Sequence, residues 1–106
     1  MNQITVLDFK VKIENGDPFT LLDVRDAHEL YISNLDIVSL HIPLDDLSSR
    51  MDELDKSTPI IVMCRSGNSS SKACELLQNN GYKDVFNLEG GINEWAQKID
   101  SSLPVY

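Results

Sequence analysis

The sequence has few of the residues that bind metal ions. Its 106 residues include two cysteines, Cys64 and Cys74, and two histidines, His28 and His41. The cysteines do not form a Cys-x-x-Cys pair, and the histidines lie far apart in the chain. Because zinc sites are built from closely spaced pairs of such ligands, we predict that the protein has no metal site.

Long apolar stretches are also lacking. A membrane-spanning helix needs about 18 or more consecutive apolar residues, and the chain contains no such run. The N-terminus has no apolar segment preceded by positive charge, as a signal peptide would have. We therefore expect no membrane partner and a cytoplasmic location, where reducing conditions suit a free reactive thiol.

Positive charge is scarce. Nine Lys and Arg residues stand against 17 Asp and Glu residues, which gives a formal net charge of −8. Without a basic cluster, this balance argues against a nucleic-acid partner. The overall charge also opposes an anionic substrate, so any attraction has to come from local groups.

Length and hydrophobic pattern predict one α/β domain over residues 1–106. The hydrophobic content of 42% is typical of a globular chain, and the length supports a single core. Alternating apolar and amphipathic segments predict a mostly parallel sheet with helices on both faces. The predicted strands include Phe19–Val24, Ile60–Met63 and Asp84–Leu88. Two helices are predicted before the middle of the chain, from Thr5 to Asn15 and at Ala27–Tyr31. A third, exposed and acidic, carries Leu44, Leu47, Met51 and Leu54. Two more run through Ala73 and Leu77 and through Ile92 and Ile99.

The most informative stretch surrounds Cys64. The apolar strand Ile60–Met63 ends at this cysteine, a short polar loop follows, and helical spacing begins near Ala73. Cys64 should therefore lie at the carboxyl edge of the sheet, where α/β folds bind ligands. Free N–H groups at the start of the helix, with the nearby Arg65, would stabilise a thiolate there. Gly67 allows the loop to close tightly.

A cysteine after an apolar strand is often only a small buried hydrophobe. Cys64 is followed by the polar residues Arg-Ser-Gly-Asn-Ser-Ser. This loop favours the role of nucleophile for Cys64, because a packing site needs no such loop. Cys74 falls beside Ala73 and Leu77 on the predicted helix, so we assign it to core packing.

Several motifs resemble those of rhodanese domains. The active-site half of that family is matched by Cys64–Ser70, Gly81-Tyr82, Asn87–Ile92 and Trp95, and its first half by Asp23–Arg25, Glu29 and Ile42-Pro43. The resemblance runs from about residue 4 to the end of the chain. It implies the rhodanese-like fold, with a five-stranded mostly parallel sheet and helices on both faces.

The tail and two short segments resemble one branch of this family more closely. Trp95–Tyr106, Ile42–Leu44 and Leu54–Lys56 are similar to the C-terminal rhodanese domain of adenylyltransferase–sulfurtransferases that serve molybdopterin and thiamine biosynthesis. The resemblance implies a thiosulfate sulfurtransferase-like enzyme that carries a persulfide on Cys64 and needs no cofactor. The sulfur donor would be thiosulfate or a cysteine-desulfurase persulfide, and the partners would be a ubiquitin-like sulfur-carrier protein and an adenylyltransferase domain.

The resemblance also implies roles for the neighbouring residues. Loop amides would hold the persulfide sulfur, and Asp23 and Arg25 would support the loop, with Arg25 pairing with Glu29. We expect Trp95 to be a core anchor and His41 to be a partly buried strand residue rather than a general base. The predicted substrate-binding loop consists of Arg65, Ser66, Gly67, Asn68, Ser69 and Ser70.

The sequence departs from the family pattern at two places. Ser69 stands where arginine is frequent, which weakens the attraction for small anions. Ser33-Asn34 replaces a frequent glycine–histidine pair, so the turn before the third strand is expected to differ in shape.

Two other functions stay open. An arsenate reductase or phosphatase-like protein would need arginine six positions after the cysteine, where this chain has Ser70. The loop Cys64–Ser69 instead has the six-residue length of sulfur-transferring rhodaneses. A non-catalytic protein-binding module is the second alternative, and the intact Cys64 and Arg65 argue against it.

Overall fold

The computed structural model describes residues 2–106 and contains one five-stranded sheet. The strands are β1 (Asn2–Ile4), β2 (Thr20–Asp23), β3 (Leu40–His41), β4 (Ile60–Met63) and β5 (Val85–Leu88). Their order is β1-β5-β4-β2-β3, and every pairing between neighbours is parallel. The predicted α/β fold is confirmed, β4 lies at the centre of the sheet, and the sheet is wholly parallel in the part described.

Helices cover both faces of the sheet. They are α1 (Val6–Glu14), α2 (Leu47–Arg50), α3 (Asn68–Asn79) and α4 (Gly91–Lys98), with a 3-10 helix at Ala27–Tyr31. None of the helices within residues 2–106 has the length and apolar character needed to cross a membrane.

The central strand β4 supplies side chains to both layers of the core. Alternate residues of a strand point to opposite faces, and a strand covered on both sides is apolar throughout. Ile60 and Val62 pack with Leu77 of α3, whereas Ile61 and Met63 pack with residues of α1 and α4. All four strand residues are completely buried. This burial gives the end of β4 a rigid position for the residue that follows it.

Helix α1 begins and ends where the sequence predicts. Thr5 is its N-cap, and the Thr5 side chain accepts a hydrogen bond from the backbone N–H of Asp8 at 3.1 Å. The helix is capped at Asn15, and Gly16 follows with a positive φ of 71°. A side-chain cap and a left-handed glycine are the usual signals for these two ends.

The predicted single helix over residues 44–54 is wrong. This segment consists of a 3-10 turn at Leu44–Asp46, the short α2, and a second 3-10 turn at Met51–Glu53. The apolar residues recur at spacings of three, four and three, and the tighter 3-10 winding at both ends keeps them on one side. Leu47 and Leu54 are buried against the sheet, so that side is part of the core.

Trp95 is a core residue, as predicted. Its ring is 8% exposed and lies 5.8 Å from the ring of Phe9, centroid to centroid. Phe9 also makes an edge-on contact with Phe19 at 5.0 Å. These aromatic contacts join α4 to α1 and fix the position of α4 beside the loop after β4.

Candidate functional site

The loop after β4 leads directly into α3. Gly67 is the N-cap of α3 and has a φ of 110°, which is a left-handed conformation that L side chains rarely adopt. The chain thus passes from strand to helix between Cys64 and Gly67, and Cys64 lies at the carboxyl edge of the sheet as predicted. Arg65, Ser66, Asn68 and Ser69 are exposed, whereas Ser70 is completely buried.

The N-terminus of α4 is hydrogen-bonded to this loop. The backbone N–H of Ile92 donates to the carbonyl oxygen of Cys64 at 2.9 Å, and that of Asn93 donates to the carbonyl oxygen of Arg65 at 3.1 Å. A Cβ atom on Gly91 would overlap both carbonyl oxygens, and the φ of Gly91 is 62°. The Gly-Gly pair before α4 therefore allows two backbones to approach each other closely.

The Cys64 sulfur is surrounded by polar hydrogen-bonding groups. The side chain is 3% exposed, and Sγ accepts a hydrogen bond from the backbone N–H of Gly67 at 3.1 Å. The Ser70 hydroxyl lies 3.2 Å from Sγ and also donates to Oδ1 of Asn87. The Gly67 N–H and the N-terminus of α3 favour negative charge on sulfur.

The second cysteine has a different environment. Cys74 lies on α3, is completely buried in the apolar layer with Leu77, and forms no disulfide. Burial is the main cause that raises the pKa of Cys74 to about 12. Core packing, the role predicted for Cys74, is confirmed.

A cavity of about 250 Å³ opens over the candidate nucleophile. Its floor includes Cys64, and its walls come from the loop and from the segment after β2. The wall residues are Val24, Arg25, Asp26, Glu29, Arg65, Ser66, Asn68 and Ser69. Thus the structure brings Cys64 together with most of the predicted loop residues and with two of the three predicted supporting residues.

A larger groove of about 590 Å³ lies elsewhere on the molecule. It is formed mainly by α1, α4 and residues 34–37, with Trp95 and Ile99 among its apolar residues. No residue of the Cys64 loop lines it, and it contains no cysteine or histidine. We therefore place the candidate site in the smaller cavity.

The third supporting residue, Asp23, holds Arg25 in position. Asp23 Oδ2 and Arg25 Nη2 are 2.8 Å apart, and both side chains are almost completely buried. Arg25 also donates to the carbonyl oxygen of Ser33 at 2.9 Å. Burial by itself lowers the pKa of Arg25, but hydrogen bonds with Asp23 and Tyr106 outweigh it and raise the pKa above its ordinary value. A paired and hydrogen-bonded arginine of this kind stays charged in the interior.

The predicted ion pair between Arg25 and Glu29 is wrong. Arg25 pairs with Asp23 instead, and its contact with Glu29 is to the carbonyl oxygen at 3.4 Å. The Glu29 carboxylate accepts from the backbone N–H of Asp26 at 2.9 Å and from the Tyr106 hydroxyl at 3.0 Å. The Glu29 carboxylate therefore caps the 3-10 helix, and the Tyr106 hydroxyl links it to Arg25.

Tyr106 joins the site, and sequence reasoning assigned it no role. Its hydroxyl accepts from Arg25 Nη1 at 2.8 Å and donates to Glu29. Its carbonyl oxygen accepts from Arg65 Nε, and the Arg65 guanidinium lies 5.2 Å from the centre of its ring. Burial raises the pKa of Tyr106, so the hydroxyl keeps its proton as a donor. The only sequence signal was the resemblance of the tail, since nothing local indicates that residue 106 returns to residues 25 and 65.

Asn93 anchors the same residue from α4. Its side-chain amide donates to the Tyr106 carbonyl oxygen at 2.8 Å and accepts from the Tyr106 backbone N–H at 3.0 Å. This pair of bonds fixes the tail beside Arg65, so the charge of Arg65 is held at the rim of the cavity.

The residues before β3 complete the surroundings of Arg25. Ser33 is 5% exposed, its carbonyl oxygen binds Arg25, and its hydroxyl has no hydrogen-bond partner among residues 2–106. His41 lies at the end of β3, half-buried as predicted, with Nε2 2.7 Å from the carbonyl oxygen of Arg25. Within residues 2–106, no cluster of His, Cys, Asp or Glu is arranged to hold a metal ion.

Known proteins resemble both the sequence and the fold. The rhodanese-like domain family matches residues 5–98. The chain is 34% identical to adenylyltransferase and sulfurtransferase MOCS3-2 of Zea mays, over 98% of this chain and 23% of that protein. It is 31% identical to the putative sulfur carrier protein YrkF of Bacillus subtilis, over 92% of this chain and 52% of that protein. A solved rhodanese-like domain protein from Staphylococcus aureus has a TM-score of 0.84 and 29% identity, with 100% of this chain and 99% of that chain covered.

These similarities bear on function at a general level. The chain spans about a quarter of the adenylyltransferase–sulfurtransferase and about half of the putative sulfur carrier. The first of these relatives is named for adenylyl and sulfur transfer and the second for sulfur carriage, and the match covers only part of each. The cysteine loop, the glycine pair before α4 and the parallel sheet agree with the match over residues 5–98, and the chain belongs to the rhodanese-like domain family.

Proposed function

We propose that this protein is a sulfurtransferase that carries a persulfide on Cys64. The observation that carries the proposal is the position of the Cys64 sulfur, which lies at the floor of the cavity beside Ser70 and accepts a hydrogen bond from the Gly67 N–H. We propose that the whole chain, 1–106, acts as one domain in the cytoplasm, where both cysteines stay reduced.

The reaction consists of two displacements, the first of which takes place at sulfur. The Cys64 thiolate attacks the outer sulfur of thiosulfate, an S–S bond forms, and sulfite leaves with the electron pair of the broken bond. The resulting persulfide carries its negative charge on the outer sulfur. We propose that backbone N–H groups of the loop from Arg65 to Ser70 stabilise that charge, as the Gly67 N–H, which donates to Cys64 Sγ, would do for the thiolate. The second step depends on the acceptor. A nucleophile such as cyanide attacks the outer sulfur and releases the Cys64 thiolate, whereas an activated carboxyl group is itself attacked by the outer sulfur of the persulfide.

A sulfur-carrier protein is the acceptor that the site favours. The Cys64 side chain is 3% exposed at the base of a cavity of about 250 Å³, so only a thin group can reach it. A C-terminal Gly-Gly segment without side chains has this shape. If its carboxyl group is adenylated, attack by the persulfide displaces AMP and gives an acyl disulfide. A thiol then attacks the Cys64 sulfur of the acyl disulfide, which releases the carrier thiocarboxylate and leaves a mixed disulfide on Cys64. A second thiol reduces that disulfide and restores the Cys64 thiolate.

The charges around the cavity favour a protein route over small anions. The net charge of the chain is −8, and Asp26 and Glu29 line the cavity. Arg25 is paired with Asp23, and Arg65 is bonded to the Tyr106 carbonyl oxygen. Ser69 adds no charge. A protein partner can bind through contacts outside the cavity, whereas a small anion depends on these groups alone.

Intact-mass measurement after incubation with thiosulfate tests the proposal. We expect the protein to gain the mass of one sulfur atom and to lose it on reduction. Cys64→Ser should abolish the gain, whereas Cys74→Ala is the matched control and should retain it. Sulfur that maps to Cys74 by peptide analysis would contradict the proposal.

The same protein also tests the two alternatives. A phosphatase-like protein would need a cation at position 70 to bind the phosphoryl group. This chain has a serine there, which is buried and donates to Asn87. Arsenate reduction without persulfide formation would favour the arsenate reductase alternative. Partner capture that is equal for the wild type and Cys64→Ser, with no sulfur gained, would favour a binding module.

A further inference from the structure

Asn87 contacts the candidate loop at both ends of its side-chain amide. It lies on β5 and is 3% exposed. Its Nδ2 donates to the carbonyl oxygen of Gly67 at 3.1 Å, and its Oδ1 accepts from the Ser70 hydroxyl at 2.5 Å. Since only the nitrogen end can donate to a carbonyl oxygen, the first bond fixes the orientation of the amide. Oδ1 therefore faces Ser70 as an acceptor.

The Ser70 hydroxyl has one hydrogen and two possible acceptors. Its oxygen lies 3.2 Å from Cys64 Sγ and also contacts Asn87 Oδ1, and the Ser70 side chain is completely buried. While Ser70 donates to Asn87, it can only accept at its other contact, so the Cys64 sulfur must be a thiol that donates to it. Once the sulfur is a thiolate it can only accept, and the Ser70 hydrogen has to turn towards it.

We propose that Asn87 is a positioning residue that controls the nucleophilicity of Cys64 by competing with its sulfur for the Ser70 hydrogen. The proton lost from Sγ passes to solvent through the cavity, and the Ser70 O–H then rotates from Asn87 to sulfur. Asn87 thus favours the thiol, whereas Ser70 favours the thiolate. This inference rests on the proposed role of Cys64 as the nucleophile.

The charged and titratable groups near Cys64, Ser70 and Asn87 remain the same in Ser70→Ala and Asn87→Val. None of these groups is hydrogen-bonded to Ser70 or Asn87 among the contacts of residues 2–106. They are Arg25, Asp26 and Glu29 after β2, Arg65 on the loop, the buried Cys74 thiol on α3, and the exposed Glu89 after β5, which lines a second cavity with Asn87 and Gly67. The Gly67 carbonyl oxygen also accepts from the Ser71 N–H at 3.1 Å, so it keeps one partner if Asn87 is replaced.

The test is the pH dependence of alkylation by iodoacetamide, with Cys74→Ala as the background so that only Cys64 reacts. We expect Ser70→Ala to move the midpoint upward by about one pH unit, because the thiolate loses one hydrogen-bond donor. We expect Asn87→Val to move it downward by a similar amount, because the Ser70 hydrogen becomes free to bind sulfur. Substitutions that only loosen the loop would move both midpoints in the same direction.

A double-substitution cycle supplies the control. When Ser70→Ala is already present, Asn87→Val should leave the midpoint unchanged, because there is no hydroxyl hydrogen to compete for. An equal downward shift in both backgrounds would overturn the proposal. If Asn87→Val does not fold, Asn87→Asp replaces it. Its carboxylate is a stronger acceptor than the amide oxygen, so the variant should raise the midpoint. The rise should be larger with Ser70 present than in the Ser70→Ala background. Equal rises in the two backgrounds would again overturn the proposal.

Failure of this inference is distinguishable from failure of the proposed function. Alkylation needs no sulfur donor, whereas the thiosulfate experiment measures persulfide directly. A cycle with the expected signs and no sulfur gain would contradict the proposed function alone. Sulfur gain with equal Asn87→Val shifts in both backgrounds would contradict the role of Asn87 alone.

Discussion

At the scale of single residues, the charge at the rim of the cavity can be altered by one substitution at position 69. Ser69 is exposed and lines the cavity without adding charge. Both neighbouring arginines already have partners, since Arg25 pairs with Asp23 and Arg65 binds Tyr106. A positive side chain at position 69 would be free to bind an anionic donor.

We expect Ser69→Arg to raise the rate of sulfur transfer from thiosulfate to cyanide. One charge-assisted contact in a partly exposed site is worth about 0.5–2 kcal/mol of transition-state binding, which is roughly a 2- to 30-fold effect. Thiocyanate formation measures this rate, and Ser69→Gln is the uncharged control of similar length. Formation of carrier thiocarboxylate should change little. An unchanged cyanide rate would contradict the argument from rim charge.

The two cysteines differ in what surrounds their sulfur atoms, and Cys74 gives a prediction about pH. The folded protein keeps the Cys74 proton up to about pH 12, whereas an ordinary cysteine loses it near 9.0. Between these values the folded state binds more protons than the unfolded state, so the free energy of unfolding should fall as the pH rises. Urea denaturation across this window should give a steeper fall for the wild type than for Cys74→Ala. Equal slopes would show that Cys74 does not keep its proton on folding.

At the scale of secondary structure elements, the position of Cys64 depends on three neighbours. The strand β4 is buried on both faces, α3 begins immediately after the loop, and α4 donates two backbone hydrogen bonds to the loop carbonyl oxygens. The close approach of α4 is possible because Gly91 has no side chain.

We expect Gly91→Ala to destabilise the protein more than Gly16→Ala does. Both glycines have positive φ, of 62° and 71°, and the left-handed conformation costs about 1–2 kcal/mol for an L residue. A Cβ atom at position 16 meets nothing within 4 Å, whereas one at position 91 overlaps the Cys64 and Arg65 carbonyl oxygens. The loss at Gly91 should therefore be at least about 3 kcal/mol in urea denaturation. Similar losses for both variants would contradict the close approach of α4.

At the scale of the whole molecule, the chain folds back so that its last described residue contacts the segment after β2. The Tyr106 hydroxyl binds Arg25, which lies 81 positions earlier in the sequence, and the Tyr106 backbone binds Asn93. The tail therefore ties the two halves of the fold together at the candidate site.

We expect Tyr106→Phe to lower the free energy of unfolding by about 1–3 kcal/mol, because buried Arg25 loses a hydrogen-bond partner. Tyr31→Phe is the matched control, since Tyr31 is 92% exposed, and it should change stability by less than about 0.5 kcal/mol. Urea denaturation measures both. Equal effects of the two substitutions would contradict the bridging role of Tyr106.

Local sequence patterns predicted most of the fold and the centre of the site. The apolar run before Cys64, the glycine at position 67 and the helical spacing after it were enough to place Cys64 at the carboxyl edge of the sheet. The segment over residues 44–54 was predicted poorly, because spacings of three and four suit both an α-helix and a chain of tighter turns. Packing against the sheet decided between them.

The sequence by itself determined the fold class, the strand that carries Cys64 and the burial of Cys74 and Trp95, because each depends on periodicity or on neighbours a few residues away. Tertiary structure alone decided the contacts of Arg25, the return of Tyr106 and the bonds from Asn87 to Ser70 and Gly67. A buried charge or amide binds whichever partner the fold brings within about 3 Å, and that partner can lie anywhere in the chain. Asn87 and Ser70 are 17 positions apart and on different elements, and only the parallel pairing of β4 with β5 brings them together.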